Sequence, residues 1–215
     1  MNNHIIADVK KKLLVFSRDR KTNTIQHSES VSSFFPIFKN GAVMFSGGVE
    51  SSVLLYHHAI ISDNPISISY IGNTKQEQIV SKLSKMISTR VGKSITNIIL
   101  LPEDKITINE IPDYAVQHLG VVGCLGGGNK PPEHLVSLPT APVRYSDDCM
   151  KVGHLYRPFH NTTKDEIISM AIRDGIIDII KESRSCVSME TDRCGVCWFC
   201  IERKWAFEMN GITPD

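Results

Sequence analysis

The sequence predicts an α/β protein with a mostly parallel, doubly wound sheet. Short apolar runs alternate with helical patterns along the chain, which is typical of strands joined by helical crossovers. Polar and glycine-rich stretches separate these segments. At 41–61 an apolar run, a glycine turn and a helical pattern follow one another, the order that builds an anion-binding helix terminus.

Composition sets the broad class of the molecule. The 215 residues are enough for one domain with a full core, and 41% hydrophobic with 22% charged residues is ordinary for a globular protein. A net charge of +1 argues against bulk attraction to nucleic acid or a membrane surface. No apolar run reaches membrane-spanning length, and the N-terminus lacks the apolar core of a signal peptide. We therefore expect a cytoplasmic protein with reduced cysteines.

The order of elements predicts one compact unit in three parts. Residues 1–40 form an extension with a β-hairpin, whose strands at 12–18 and 24–28 flank a polar turn. Residues 41–180 form the α/β domain, and 181–215 form a metal-binding C-terminal segment. Strands are expected at 41–45, 66–71, 95–101 and 120–125. Helices are expected at 51–61, 75–91, 112–119 and 199–209. A further helix is expected to begin at the capping box Thr163–Glu166 and to end at Gly175. A long loop is expected at 126–152.

The glycine turn lies in the stretch FSGGVESS, residues 45–52. Glycines let the backbone approach an anion closely, and the N–H groups of the helix start point towards it. The stretch is not a Walker A loop, and Gly92-Lys93-Ser94 is a decoy because the position required for the first glycine is Ile87. We expect the loop to bind the phosphates of ATP; a plain tight turn is the alternative. The predicted ATP-binding residues are Phe45, Ser46, Gly47, Gly48, Val49, Glu50, Ser51, Ser52, Val53 and Leu54.

Four cysteines near the C-terminus have the spacing of metal ligands. They follow the pattern Cys-x7-Cys-x2-Cys-x2-Cys, which can close a tetrahedron around zinc, and they are Cys186, Cys194, Cys197 and Cys200. An iron–sulfur cluster is the main alternative. A closed four-sulfur zinc site would be structural, and the slightly acidic segment around it argues against a nucleic-acid-binding zinc ribbon.

Four stretches together resemble the 7-cyano-7-deazaguanine synthase family of PP-loop ATP pyrophosphatases, which is also called QueC-like. They are FSGGVESS, SYIGNTKQEQIVSKLSKM, TKDEIISMAIRDGI and SCVSMETDRCGVCWFCIERKWAFEMNG. Glu50 departs from the family signature SGGxDS, which has aspartate there. The family's Pro-x-Arg-Asn segment is missing, residues 126–152 have no counterpart, and the first 40 residues are additional.

The resemblance implies an ATP-dependent ligase with Ser46, Glu50 and Lys164 as catalytic residues. ATP with Mg²⁺ would adenylate 7-carboxy-7-deazaguanine, and ammonia would convert it to an amide and then a nitrile. It also implies a homodimer, with the hairpin as a possible contact. On sequence alone, Lys164 could also be a solvated surface lysine. Asp147 and Asp148 are candidates for binding magnesium, and Gly126–Gly128 is a candidate for close approach to the nucleotide. For both stretches the alternative is an ordinary surface loop. Two alternative functions stay open: an adenylating enzyme with another acceptor, such as a different deazaguanine or a protein carboxylate, and an inactive nucleotide-binding protein.

Overall fold

A computed structural model of the chain describes residues 17–19, 24–26, 41–101, 122–125, 135, 151–152, 155–159, 162–186, 188 and 193–213. Its strands are β1 (Ser17–Asp19), β2 (Thr24–Gln26), β3 (Gly41–Met44), β4 (Ile66–Tyr70), β5 (Thr96–Leu100), β6 (Val122–Leu125), β7 (Lys151–Val152) and β8 (Leu155–Tyr156). Its helices are α1 (Val49–Ile61), α2 (Thr74–Val91), α3 (Lys164–Arg173), α4 (Ile177–Lys181) and α5 (Trp198–Met209). Within these described residues, no helix has the length and apolar character needed to cross a membrane.

Six strands form one sheet in the order β5-β4-β3-β6-β8-β7. All neighbouring pairs are parallel except β7 with β8, which is an antiparallel edge. The predicted mostly parallel sheet is therefore confirmed. The chain runs from β3 to β4 and β5 on one side, and β6 and β8 lie on the other side. This reversal places a crevice at the carboxyl end of β3, where open α/β sheets bind their ligands.

Helix α1 lies at the centre of the core. All four residues of β3 are buried, and ten of the thirteen residues of α1 are buried. Because α1 packs against α2, α3, α4 and β3, it is buried on most sides, and its buried residues include two serines and two histidines as well as apolar side chains. The start of this helix is consequently fixed in the interior rather than left to fray.

Local signals set the ends of α2 and α3. Asn73 caps α2 by accepting a hydrogen bond from the Gln76 backbone N–H at 2.9 Å. Gly92, in the left-handed region with a φ of 68°, ends that helix. The predicted capping box opens α3, since the carboxylate of Glu166 accepts from the Thr163 backbone N–H at 2.9 Å.

Several sequence predictions differ from the structure or lie outside it. The stretch 126–152, predicted to be loop, contains β7 at its end because Lys151 and Val152 pair with β8. The short helix α4 and strand β8 were not predicted, since runs of two to five residues carry too little periodicity. The hairpin is confirmed over Ser17–Asp19 and Thr24–Gln26. The predicted helix at 112–119 lies outside the described residues.

Candidate functional site: a glycine loop beside a buried lysine

The loop after β3 is held in shape by its own serines. The hydroxyls of Ser46 and Ser51 lie 3.1 Å apart, and the Ser46 backbone N–H donates to Ser51 Oγ at 3.3 Å. Ser52 Oγ donates to the Gly48 carbonyl at 2.7 Å. The Arg184 backbone N–H donates to the Gly47 carbonyl at 2.8 Å, which ties the loop to the segment after α4. The turn is therefore built before any ligand arrives.

The two glycines of the loop have different roles. Gly47 has a φ of 77°, and a Cβ there would meet the side chain of Ile79 on α2 at 3.0 Å. Gly48 has an ordinary φ of −79°, and its Cβ would lie 3.4 Å from Ser46 Oγ and 3.7 Å from Glu50 Oε2. Gly47 thus allows the turn and the packing of α2. A Cβ at Gly48 would also lie 3.7 Å from the Arg184 carbonyl oxygen, so Gly48 keeps side-chain bulk away from the first N–H groups of α1, as an anion-binding helix start requires.

Lys164, the first residue of α3, is enclosed beside this loop. Its Nζ lies 2.9 Å from Glu50 Oε1 and 2.7 Å from Glu202 Oε2. The side chains of Lys164 and Glu202 are 1% and 0% exposed, whereas that of Glu50 is 14% exposed. The alternative of a solvated surface lysine is therefore wrong.

The charge of Lys164 follows from its surroundings. Burial by itself lowers the pKa of Lys164, because it disfavours the charged ammonium. The negative charges of Glu50 and Glu202 oppose this effect, and the net pKa lies above the ordinary value of 10.5. At neutral pH the site therefore contains an ammonium ion between two carboxyl groups.

Helix α5 is anchored next to Glu202 by Arg203. The guanidinium donates to Ser183 Oγ at 2.8 Å and to the carbonyls of Ile180 and Lys181 at 3.1 and 3.0 Å. It also lies over the ring of Phe207, 4.5 Å from the ring centroid. These contacts fix α5 to the end of α4, from which Arg184 reaches the loop.

The four predicted cysteines come together at the start of α5. Their Sγ atoms all lie within 4.8 Å of one another, and those of Cys194 and Cys200 are 4.0 Å apart. Zinc bound at 2.3 Å would place its sulfurs roughly 3.8 Å apart, so the cluster fits a tetrahedral metal ion. Backbone N–H groups of Cys197 and Val196 lower the pKa of Cys194 to about 6, and burial raises the pKa of Cys200 to about 12. A bound cation would hold all four sulfurs as thiolates.

The structure brings together the three predicted catalytic residues only in part. Glu50 and Lys164 are in contact, and Ser46 lies exposed in the same loop. Among the predicted ATP-binding residues, the side chains of Phe45, Val49, Val53 and Leu54 belong to the hydrophobic core, so only their backbone is available to a ligand. Asp147, Asp148 and Gly126–Gly128 lie outside the described residues.

Sequence reasoning missed two charged residues of this region. Glu202 lies on the buried stripe Trp198-x3-Glu202-x3-Ala206 of α5. A carboxylate in line with buried apolar residues needs a buried partner, so this spacing could have predicted an ion pair for Glu202. Arg157, which follows β8 at the carboxyl edge of the sheet, is 1% exposed. Its preceding strand is too short to be recognised from sequence, so nothing marked it as buried.

Two histidines lie within the described residues, and both connect α1 to other elements of the fold. His57 and Asp174 are buried with His57 Nε2 and Asp174 Oδ2 3.1 Å apart, which joins α1 to the end of α3. His58 Nε2 accepts from the Ile66 backbone N–H at 3.2 Å, which joins α1 to β4.

The fold and this site define a parallel α/β protein with a glycine loop at its switch point and a separate four-cysteine cluster. The family model described as queuosine biosynthesis protein QueC matches residues 140–211, about a third of the chain. The match includes Lys164, Glu202 and the four cysteines, and the glycine loop lies outside it. The predicted resemblance is therefore confirmed for this C-terminal third, which is similar to QueC. Because the match begins at residue 140, the prediction that residues 126–152 have no counterpart in this family is wrong for 140–152.

Comparison with other proteins adds little to this. No curated protein matches the chain. Among solved structures, the NMN synthetase from Francisella tularensis is similar at 12% sequence identity with a TM-score of 0.49. The alignment covers 97% of this chain and 87% of that one.

Proposed function

We propose that the chain is an ATP-dependent ligase that adenylates a carboxylate. The observation that carries this proposal is the glycine loop at the N-terminus of α1, whose Glu50 lies 2.9 Å from the buried ammonium of Lys164. Backbone N–H groups, a helix dipole and a buried cation together favour a phosphate chain over a neutral ligand. The QueC match over residues 140–211 supports the same class of chemistry.

In this proposal each part of the site has a distinct task. The loop 46–52 would hold the β- and γ-phosphates as pyrophosphate forms, and a magnesium ion bound with the nucleotide would supply positive charge there. Lys164 contributes its ammonium at the α-phosphate or the acyl oxygen. Glu50 is the acidic group of the loop, and its 14% exposure leaves it accessible to a cation that accompanies the nucleotide.

The most specific form of the proposal is conversion of 7-carboxy-7-deazaguanine to 7-cyano-7-deazaguanine. A carboxylate oxygen is a poor leaving group, and its bond to AMP makes it a good one. Ammonia then displaces AMP and forms an amide. A second adenylation, now of the amide oxygen, allows that oxygen to leave with AMP, and loss of two protons from nitrogen gives the nitrile. Support for this acceptor comes from the QueC resemblance alone.

Two alternatives have observations in their favour. Glu50 in place of aspartate, the missing Pro-x-Arg-Asn segment and the additional first 40 residues favour an adenylating enzyme with another acceptor, such as a different deazaguanine or a protein carboxylate. The pairing of Lys164 with two carboxylates favours a nucleotide-binding protein without turnover, since its ammonium is already compensated.

For the cysteine cluster we propose a structural zinc ion held by Cys186, Cys194, Cys197 and Cys200. Four sulfurs occupy every position of a tetrahedron, so the metal would keep no open site for a substrate. An iron–sulfur cluster is the alternative for the same donor set.

One assay separates the proposed functions. The protein is incubated with ATP, magnesium, ammonium and 7-carboxy-7-deazaguanine, and nitrile and AMP are measured by mass spectrometry and chromatography. Nitrile formation supports the specific proposal. AMP that forms only with a different acceptor supports the first alternative, and ATP binding without AMP supports the second. Absence of any ATP binding by calorimetry contradicts all three.

A variant pair links the result to the loop. Gly48→Ala keeps an allowed backbone conformation but places a methyl group in the proposed phosphate space, so ATP affinity should fall at least about tenfold. Gly72→Ala is the matched control, because a Cβ there meets only Gln76 Oε1 at 3.9 Å. Equal affinity in the two variants would place the nucleotide elsewhere.

A further inference from the structure

The cluster of Glu50, Lys164 and Glu202 joins three separate parts of the chain. Glu50 comes from the loop and first turn of α1, Lys164 from the start of α3, and Glu202 from α5. The ammonium lies 2.9 Å from one carboxylate and 2.7 Å from the other. One positive and two negative charges give the cluster an excess of one negative charge. An ammonium with two counter-ions can release one of them and stay compensated.

The two carboxylates are not equivalent. Glu202 is fully enclosed, and Arg203 beside it fixes its helix to α4 through Ser183, Ile180 and Lys181. Glu50 is partly exposed, and its second oxygen lies 3.7 Å from the position that a Cβ of Gly48 would take at the glycine loop. Glu50 is therefore the partner that can turn towards an arriving ligand, and Glu202 is the partner that cannot leave.

We propose that Glu202 is a positioning residue, which holds the ammonium of Lys164 in place while Glu50 exchanges between that ammonium and a nucleotide-bound cation. This inference rests on the proposed adenylating function. With Glu202 neutralised, Lys164 and Glu50 form a one-to-one pair, and opening it would leave the buried ammonium without a protein counter-ion. Turnover should then suffer more than nucleotide binding, because neutralising Glu202 adds no obstacle at the loop and removes a negative charge near it.

The kinetic test uses three variants of the full chain. Glu202→Gln should lower kcat for AMP formation about tenfold to a hundredfold, while the Kd for ATP rises no more than about threefold. Glu202→Asp keeps the charge and should recover part of kcat. Glu208→Gln, on the same helix and 53% exposed, is the matched control and should behave as wild type. Unchanged kcat in Glu202→Gln would overturn the proposal, and so would a parallel loss of kcat, ATP affinity and Tm, because that indicates a purely structural role.

A second test does not depend on turnover. If Lys164 needs one counter-ion and has two, Glu50→Gln and Glu202→Gln should each fold with modest losses of Tm. The double variant should lose more Tm than the sum of the two single losses, and adding Lys164→Met to it should restore part of that loss. Additive losses of Tm would overturn the proposed roles of Glu50 and Glu202. A chain that passes this test but makes no AMP with any acceptor contradicts the proposed function and not the arrangement of the cluster.

Discussion

The absence of a side chain at Gly47 satisfies two structural requirements. Its φ of 77° belongs to the left-handed region, and the space where a Cβ would stand is taken by Ile79 of α2. The signature of two glycines predicted a loop that approaches phosphate. In the structure, the first of them serves the turn and the contact with α2, and the second lies beside Ser46 Oγ and Glu50 Oε2 at the start of α1.

Gly47→Ala should lower the free energy of unfolding by about 2 to 4 kcal/mol, since backbone strain and a 3.0 Å contact act together. Gly92→Ala is the control, because its φ of 68° brings the same strain with nothing within 4 Å of the added Cβ. It should cost about 1 kcal/mol. Urea denaturation measures both values, and equal losses would show that packing against α2 contributes nothing.

Lys164 should make stability depend on pH only in the alkaline range. Its pKa in the folded chain is raised above 10.5, so the folded state binds the proton more tightly than the unfolded state. The resulting stabilisation is complete below the unfolded pKa and is lost as pH rises through the folded pKa. Unfolding free energies measured between about pH 10 and pH 12 should fall more steeply for wild type than for Glu202→Gln. Parallel curves would contradict the assigned cause of the shift.

At the scale of elements, Lys93 of the Gly-Lys-Ser stretch has a structural role. The sequence Gly92-Lys93-Ser94 imitates the end of a Walker A loop, but Lys93 follows a helix rather than preceding one. Its ammonium donates to the carbonyls of Ile60 and Ser62 at 3.0 and 2.5 Å. It thus satisfies backbone acceptors at the carboxyl end of α1, where a cation is also favoured by the helix dipole.

Replacing Lys93 with methionine keeps most of the aliphatic stem and removes both hydrogen bonds. The expected loss is about 1 to 2 kcal/mol of unfolding free energy, with nucleotide affinity unchanged. Lys85→Met on the exposed face of α2 should change stability by less than about 0.5 kcal/mol. A weakened affinity for ATP in Lys93→Met would show that the Gly-Lys-Ser stretch contributes to nucleotide binding.

At the scale of the whole molecule, the cysteine cluster and the glycine loop are connected through α5. Cys197 caps this helix, Cys200 lies in its first turn, and Glu202 reaches Lys164 beside the loop. Helix α5 also packs against α3, whose first residue is Lys164. Loss of a metal from the cluster is therefore expected to disturb the loop region as well as the C-terminal segment.

Removing the metal should lower Tm by about 10 °C or more, because metal-binding free energy becomes folding free energy in a site of this kind. Elemental analysis of the purified chain should find one zinc ion, and chelation or Cys194→Ser should produce the loss of Tm. Iron with inorganic sulfide and visible absorbance would instead establish the iron–sulfur alternative. A chain that contains no metal and is insensitive to chelators would contradict both.

The sequence by itself determined the parallel α/β class, the glycine loop between β3 and α1, the capped start of α3 and the cluster of four cysteines with metal-ligand spacing. Each of these depends on local chemistry, such as hydrophobic period, turn residues, capping partners or ligand spacing, that is complete within a short stretch. Only the tertiary structure decided that Lys164 is buried and that Glu50 and Glu202 share its ammonium, because those residues lie far apart in the chain and meet only when α1, α3 and α5 pack together. Burial and ion pairing depend on tertiary contacts, and a local sequence pattern does not indicate which distant residues will make those contacts.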